Sequence, residues 1–129
     1  MINTKRKSLE KLLTSQKVGV LATHGVKFPY TNLIAFVATN DLHSIIFATL
    51  RSTQKYENLR KKTNVSFLID DRFNELTDFS QVTTVTVLGN TFEVSKNKYS
   101  ELFLSKHPQL KTFLLNPYCV LFLKKKEYF

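Results

Sequence analysis

One cysteine and three glycines stand among the 129 residues of this chain, and each shortage excludes something. A lone cysteine, Cys119, leaves no internal disulfide, so the fold must rest on its core. That thiol lies in the apolar run of residues 118–123 and is expected to be buried and inert. Three glycines are too few for a glycine-rich phosphate loop of the Walker type. No stretch approaches the roughly 20 apolar residues needed to cross a bilayer. The N-terminus, MINTKRKSLEKLL, is basic and then amphipathic, without the apolar run or cleavage site of a signal peptide. Cytoplasm is the compartment expected, with no membrane contact. Acidic residues are scarce too, ten against nineteen lysines and arginines, for a net charge of +9. Such an excess suits phosphate ligands, nucleic acid, acidic surfaces or simply a solvated lysine-rich exterior, and by itself does not choose among them. It gathers at residues 5–7, 55–62 and 124–126, and only the middle group sits in a context that suggests a ligand.

With 43% hydrophobic and 22% charged side chains, the chain suits one folded domain, taken as residues 1–129. Residues 5–16 read as a helix, with Leu9, Leu12 and Leu13 on one side at three- and four-residue spacing. The apolar run 18–23 predicts a strand ended by His24-Gly25. Residues 28–39 predict a second strand opening on Pro29, and residues 44–50 a third after the turn Asn40-Asp41. Alternation then stops. Tyr56, Leu59 and Arg60 fall at helical spacing, so residues 53–62 predict a helix with Ser52 as the N-cap. Strands follow at 65–70 and 82–94, separated by a loop. The second is dense in β-branched residues and carries Gly89 as an expected bulge or corner. Ser95 is placed to cap a helix through Lys106, Pro108 to open another, and residues 118–123 to form a last strand before a basic tail. About six strands and four helices, without alternating βαβ units, predict an α+β fold with an antiparallel sheet. Open edges would be a liability in so short a chain. The expectation is therefore a small six-stranded barrel with flanking helices, in a dimer.

The most informative stretch is Phe47-Ala48-Thr49-Leu50-Arg51-Ser52-Thr53-Gln54-Lys55, running from a strand end through a polar turn into a helix start. A helix N-terminus offers unsatisfied N–H groups and a partial positive charge, which suit a phosphate. Arg51, Lys55 and the hydroxyls of Thr49, Ser52 and Thr53 complete a phosphate cradle. An ordinary capped helix with a solvated basic first turn is the competing reading. It is weakened because a first-turn lysine is unfavourable without an anion nearby. His24, His43 and His107 lack a Cys, Asp or Glu partner at metal-binding spacing, so structural or surface roles are expected for them and no metal. Asp70-Asp71 reads as a strand-end turn, not a catalytic pair.

In order and spacing, these motifs resemble the pyridoxamine 5'-phosphate oxidase superfamily, the FMN-binding split β-barrels. There a strand ends in Phe-x-Thr, then come Ser or Thr before Lys, an Asn/Asp-Leu pair inside the helix, and an apolar strand. Here stand Phe47-Ala48-Thr49, Thr53-Gln54-Lys55, Asn58-Leu59 and Val65-Ser66-Phe67-Leu68. The later strand with Gly89 and the element Leu104-Ser105-Lys106-His107-Pro108-Gln109-Leu110 are similar as well. The resemblance implies a homodimer with FMN in grooves between subunits. It puts Thr49 and Lys55 at the phosphate, Leu50, Arg51, Ser52 and Thr53 nearby, and backbone groups of Thr31, Asn32 and Leu33 facing the isoalloxazine ring.

Departures from the family pattern narrow the activity. The oxidase has Arg-Lys where this chain has Gln54-Lys55, and a second-strand Arg where it has Thr31, Asn32 or Leu33. The oxidase's late-strand Gln falls here at Thr84, and its C-terminal substrate-binding Arg and His have no counterpart before Phe129. Vitamin B6 oxidation is therefore not expected, and the thinner phosphate set leaves deazaflavin or haem as other ligands. The expected function is a flavin oxidoreductase in the broad sense, passing electrons between NAD(P)H or another reductant and a small-molecule redox substrate. Its rival is a non-catalytic flavin- or haem-binding module for storage or sensing. A nucleic-acid-binding barrel would stack bases on exposed aromatics. It is disfavoured because the phenylalanines mostly take alternating strand positions, as a core does.

Overall fold

Strands of alternating burial need something to cover one face, and here they cover one another by curling into a ring. The computed structural model of the chain describes residues 2–125 and 127–128. In chain order the elements are helix α1 (Ile2–Ser15), strands β1 (Val18–His24), β2 (Pro29–Ala38) and β3 (Ser44–Leu50), helix α2 (Gln54–Lys61), strand β4 (Asn64–Asp70), helix α3 (Asp78–Gln81) and strand β5 (Thr84–Val94). Helix α4 (Lys96–Lys106), a 3-10 turn (Pro108–Leu110), helix α5 (Lys111–Leu115) and strands β6 (Cys119–Lys125) and β7 (Glu127–Tyr128) complete the chain. Lys126, in the expected basic tail, lies outside the described residues.

Neighbours run β4-β1-β2-β3-β6-β5, and β5 also pairs with β4, which closes the ring. The 11-residue β5 makes this possible, because residues 84–90 pair with β4 and residues 91–94 with β6. β7 continues the register of β6 along β5, with Thr91 opposite Lys124 and Leu88 opposite Glu127. The chain thus forms the expected α+β barrel of six antiparallel strands, β7 being an extension of the sixth. Gly89 sits opposite Val65 in an unbroken ladder, so it makes no bulge; the corner falls just after it, where β5 changes partner. Two further readings are corrected. The first helix begins at Ile2, and the segment between β4 and β5 contains the four-residue α3. In that segment Asp78 accepts the N–H groups of Phe73 and Glu75 at 3.1 and 3.0 Å, a local tie that hydrophobic periodicity does not reveal.

Inward-facing residues fill the barrel. Leu21, Phe36, Ile45, Phe47, Phe67, Ile69 and Val87 are buried in one cluster, closed by Leu12 and Leu13 of α1 and Leu59 of α2. Phe36 and Phe67 meet edge to face with ring centres 5.3 Å apart. Gly19 allows β1 to lie close to β4, since a Cβ there would come within 2.7 Å of the Phe67 ring and 2.8 Å of the Leu68 carbonyl oxygen. On the outside of the β2–β3–β6 wall, Val37, Ile46, Ala48 and Cys119 pack with Phe103 of α4 and Leu114 of α5. Cys119 is buried, and burial raises its thiol pKa, as an inert core cysteine requires. No helix among the described residues is long and apolar enough to cross a membrane.

The ring has one parting. β2 pairs with β3 only through Phe36–Phe47, Val37–Ile46 and Ala38–Ile45. Beyond that, residues 29–35 pair with β1 alone and residues 48–50 with β6 alone. The two strands diverge, leaving facing backbone edges that no strand among the described residues completes. Helix α2 starts at this split.

Candidate functional site

Strand β3 delivers Thr49 to the split on its inward face, buried beside the start of α2. Thr53, and not Ser52, is the N-cap. Its Oγ1 accepts the Tyr56 N–H at 3.2 Å and donates to the Leu50 carbonyl at 2.8 Å. The expectation of Ser52 placed the helix one residue too early; Ser52 is exposed in the turn. Thr49 Oγ1 lies 3.3 Å from Thr53 Oγ1. These two threonine hydroxyls are therefore spent largely on building the junction.

The two cations differ. Arg51 is exposed, and its Nη2 donates to Glu93 Oε2 at 3.4 Å, while the Tyr56 hydroxyl donates to the other carboxylate oxygen at 3.3 Å. Lys55 is half-buried, and among the described residues no carboxylate lies within 4.0 Å of its ammonium. Burial holds its pKa below the usual lysine value, the signature of a desolvated charge without compensation. Glu57, the acidic residue of the first turn, is taken by Arg60 at 2.7 Å and Lys61 at 3.7 Å.

A polar relay ties α2 to the other lip of the split. Gln54 donates to Asn58 Oδ1 at 2.8 Å, Asn58 Nδ2 to Thr23 Oγ1 at 3.1 Å, and Thr23 to the Tyr30 carbonyl at 3.5 Å. The Asn58-Leu59 pair of the family pattern thus has a physical role, since both side chains are buried and fix the helix that carries Lys55 against β1. The relay ends beside Thr31. Of the three β2 residues, Thr31 and Leu33 lie on the outer face and are exposed, Leu33 to 71%. Asn32 shares its face with inward-pointing Ile34 and Phe36. Its Oδ1 is a buried acceptor with no hydrogen-bond partner among the described residues.

Glu93 and Thr23 were not singled out by sequence reasoning, and Tyr56 only as a marker of helical spacing. Glu93 reaches Arg51 across 42 positions and Asn58 reaches Thr23 across 35, separations with no local signal. His107 is buried with a ring nitrogen 2.7 Å from the Phe36 carbonyl, and burial depresses its pKa, so the neutral ring donates to that oxygen and serves the core. Asp70 and Asp71 hold Arg72 and the Thr83 N–H, a turn as expected. A cavity of about 360 Å³ lies away from the junction, among Glu10, Thr14, Asn40, Ser105 and Lys106.

Closed six-stranded ring, parted second and third strands and capped helix at the parting define a split barrel. Residues 6–115 match the model of the pyridoxamine 5'-phosphate oxidase family, and the chain belongs to that family. Among solved structures it is similar to a protein of unknown function from Agrobacterium tumefaciens, at 16% identity and a TM-score of 0.84 over 98% of this chain and 55% of that one. The chain thus spans about half the length of that protein. An FAD-binding protein from Mesorhizobium loti is similar at 18% identity and a TM-score of 0.74, over 95% of this chain and 89% of that one. A haem storage protein from Vibrio cholerae is similar at 16% identity and 0.74, over 95% and 92%. At these identities the likeness is one of fold. No curated protein sequence matches the chain significantly.

Proposed function

We propose that the chain binds FMN as a homodimer, with the flavin phosphate at the β3–α2 junction and the ring along the free edge of β2. Lys55 carries this reading: a half-buried ammonium with no carboxylate in reach among the described residues, at the start of a helix, is a place for an anion. The residues present fit the group. Lys55 and the Ser52 hydroxyl suit the phosphate, the unpaired backbone edge of residues 29–35 suits a flat ring, and Thr49 and Thr53 shape the turn between them. Arg51 contributes only what Glu93 leaves it.

The outer sheet face supports the dimer. Register puts Leu33, Val20 and Leu68 in one row, with Val18 and Leu88 in the rows beside it. Val18 is 52% exposed and Leu33 71%, and a contiguous apolar patch of this kind marks an interface. A bound flavin supplies redox chemistry, while the protein anchors the phosphate and orients the ring; the substrate is then a small redox molecule. The flavin-binding Mesorhizobium protein supports this ligand class. Haem, as in the Vibrio protein, needs an axial ligand; the His107 ring is engaged by the Phe36 carbonyl, which leaves the exposed His24 and His43.

Purified protein should carry, or take up, FMN with its visible absorbance. Bleaching by NAD(P)H supports an oxidoreductase, and bound but unreduced flavin a storage or sensing module. Failure to bind any flavin overturns the proposal.

A further inference from the structure

We infer that Glu93 is a built-in competitor at the anion site: its carboxylate holds Arg51 and Tyr56 and competes for them with a phosphorylated ligand, so it sets the preference for phosphorylated over unphosphorylated ligands. This rests on the reading of the β3–α2 junction as an anion site.

Three elements meet at the carboxylate. Glu93 comes from β5 where that strand has switched to β6, opposite Phe122. Arg51 follows β3 and is fixed by its own N–H, which donates to the Tyr118 carbonyl at 2.9 Å. Tyr56 lies in the first turn of α2, next to Lys55. One donor meets each carboxylate oxygen, at 3.4 and 3.3 Å, an arrangement that two phosphate oxygens would also satisfy.

The contacts are long for charge-assisted hydrogen bonds, which run about 2.7–2.9 Å from a cationic nitrogen and about 2.5–2.7 Å from a hydroxyl. Both side chains of the ion pair are also open to solvent, 47% for Arg51 and 41% for Glu93. Exposed pairs of this kind contribute little, so this one opens readily. A chain of net charge +9 has only ten carboxylates, yet one is brought from 42 positions away onto the guanidinium of the junction. A phosphate reaching from Lys55 toward Arg51 would meet a guanidinium already engaged and a like charge beside it. An unphosphorylated ligand meets neither conflict.

Glu93→Gln keeps the shape and removes the charge. Glu101→Gln makes the same charge change on the exposed side of α4 and is the control. Wild type and both variants are titrated calorimetrically with inorganic pyrophosphate, FMN and riboflavin. Glu93→Gln should bind pyrophosphate and FMN about fivefold more tightly, the effect of removing one partly screened like charge, with riboflavin unchanged. Glu101→Gln should match wild type throughout. Unchanged or weaker pyrophosphate binding by Glu93→Gln overturns the inference, as does an equal gain in Glu101→Gln. If pyrophosphate tightens while neither flavin binds, the flavin reading fails and the role of Glu93 stands. If FMN binds wild type and Glu93→Gln alike, the reverse holds. No pyrophosphate binding by any form overturns the inference about Glu93.

Discussion

Asn32 shows how a single side chain can be unfavourable to the fold and useful to the site. Its Oδ1 is buried without a partner among the described residues, and an unsatisfied buried acceptor costs about 1–3 kcal/mol. It sits on the strand whose other edge is free for a ligand. Asn32→Leu, near-isosteric and apolar, should therefore raise the stability of the ligand-free protein by about 1 kcal/mol in urea denaturation and weaken FMN binding. Lower stability in the variant would show that the amide has a structural partner after all. The junction of strand end, polar turn and helix start at residues 49–55 was legible in the sequence, though its cap, Thr53, was read as Ser52, which residue type favours no less. Glu93 was not, since only ring closure by β5 and β6 brings it to Arg51.

Helix α2 owes its start to Thr53, whose hydroxyl satisfies an otherwise unpaired N–H of the first turn. Thr53→Ala should cost about 1 kcal/mol of stability, whereas Ser52→Ala, in the exposed turn, should cost almost nothing; the reverse order in urea denaturation would restore Ser52 as the cap. At the other end of the barrel, Lys106 of α4 donates to the Leu13 carbonyl of α1 at 2.9 Å, and its ammonium lies 3.9 Å from the centre of the Phe36 ring. Burial lowers its pKa from 10.5 to about 8. Between these values the unfolded chain keeps a proton that the folded chain has released, so stability rises with pH across that window and the gain is lost as pH falls through 8. Thermal midpoints should climb from pH 8 to 10.5 in wild type more steeply than in Lys106→Met. Equal slopes would contradict the assignment. The strands were readable because apolar runs bounded by turn residues mark β1, β2 and β3. Helix α3 was not, because polar ties from Asp78 hold it, with no apolar face to betray it.

Taken whole, the described residues form a barrel that is closed except where β2 and β3 part, with a helix pinned across the opening by Gln54, Asn58 and Thr23. The sequence implied the barrel through its strand count and the danger of open edges. The parting itself depends on where a ladder stops, which no residue type announces. Its proposed use is to grip a phosphorylated ligand, and that claim is tested most directly by titrating FMN and riboflavin into wild type and Lys55→Ala. Wild type should prefer FMN about tenfold or more, and Lys55→Ala should lose most of that preference, since one charged hydrogen bond is worth about 1.5–3 kcal/mol. Equal affinity of wild type for the two flavins would contradict the account.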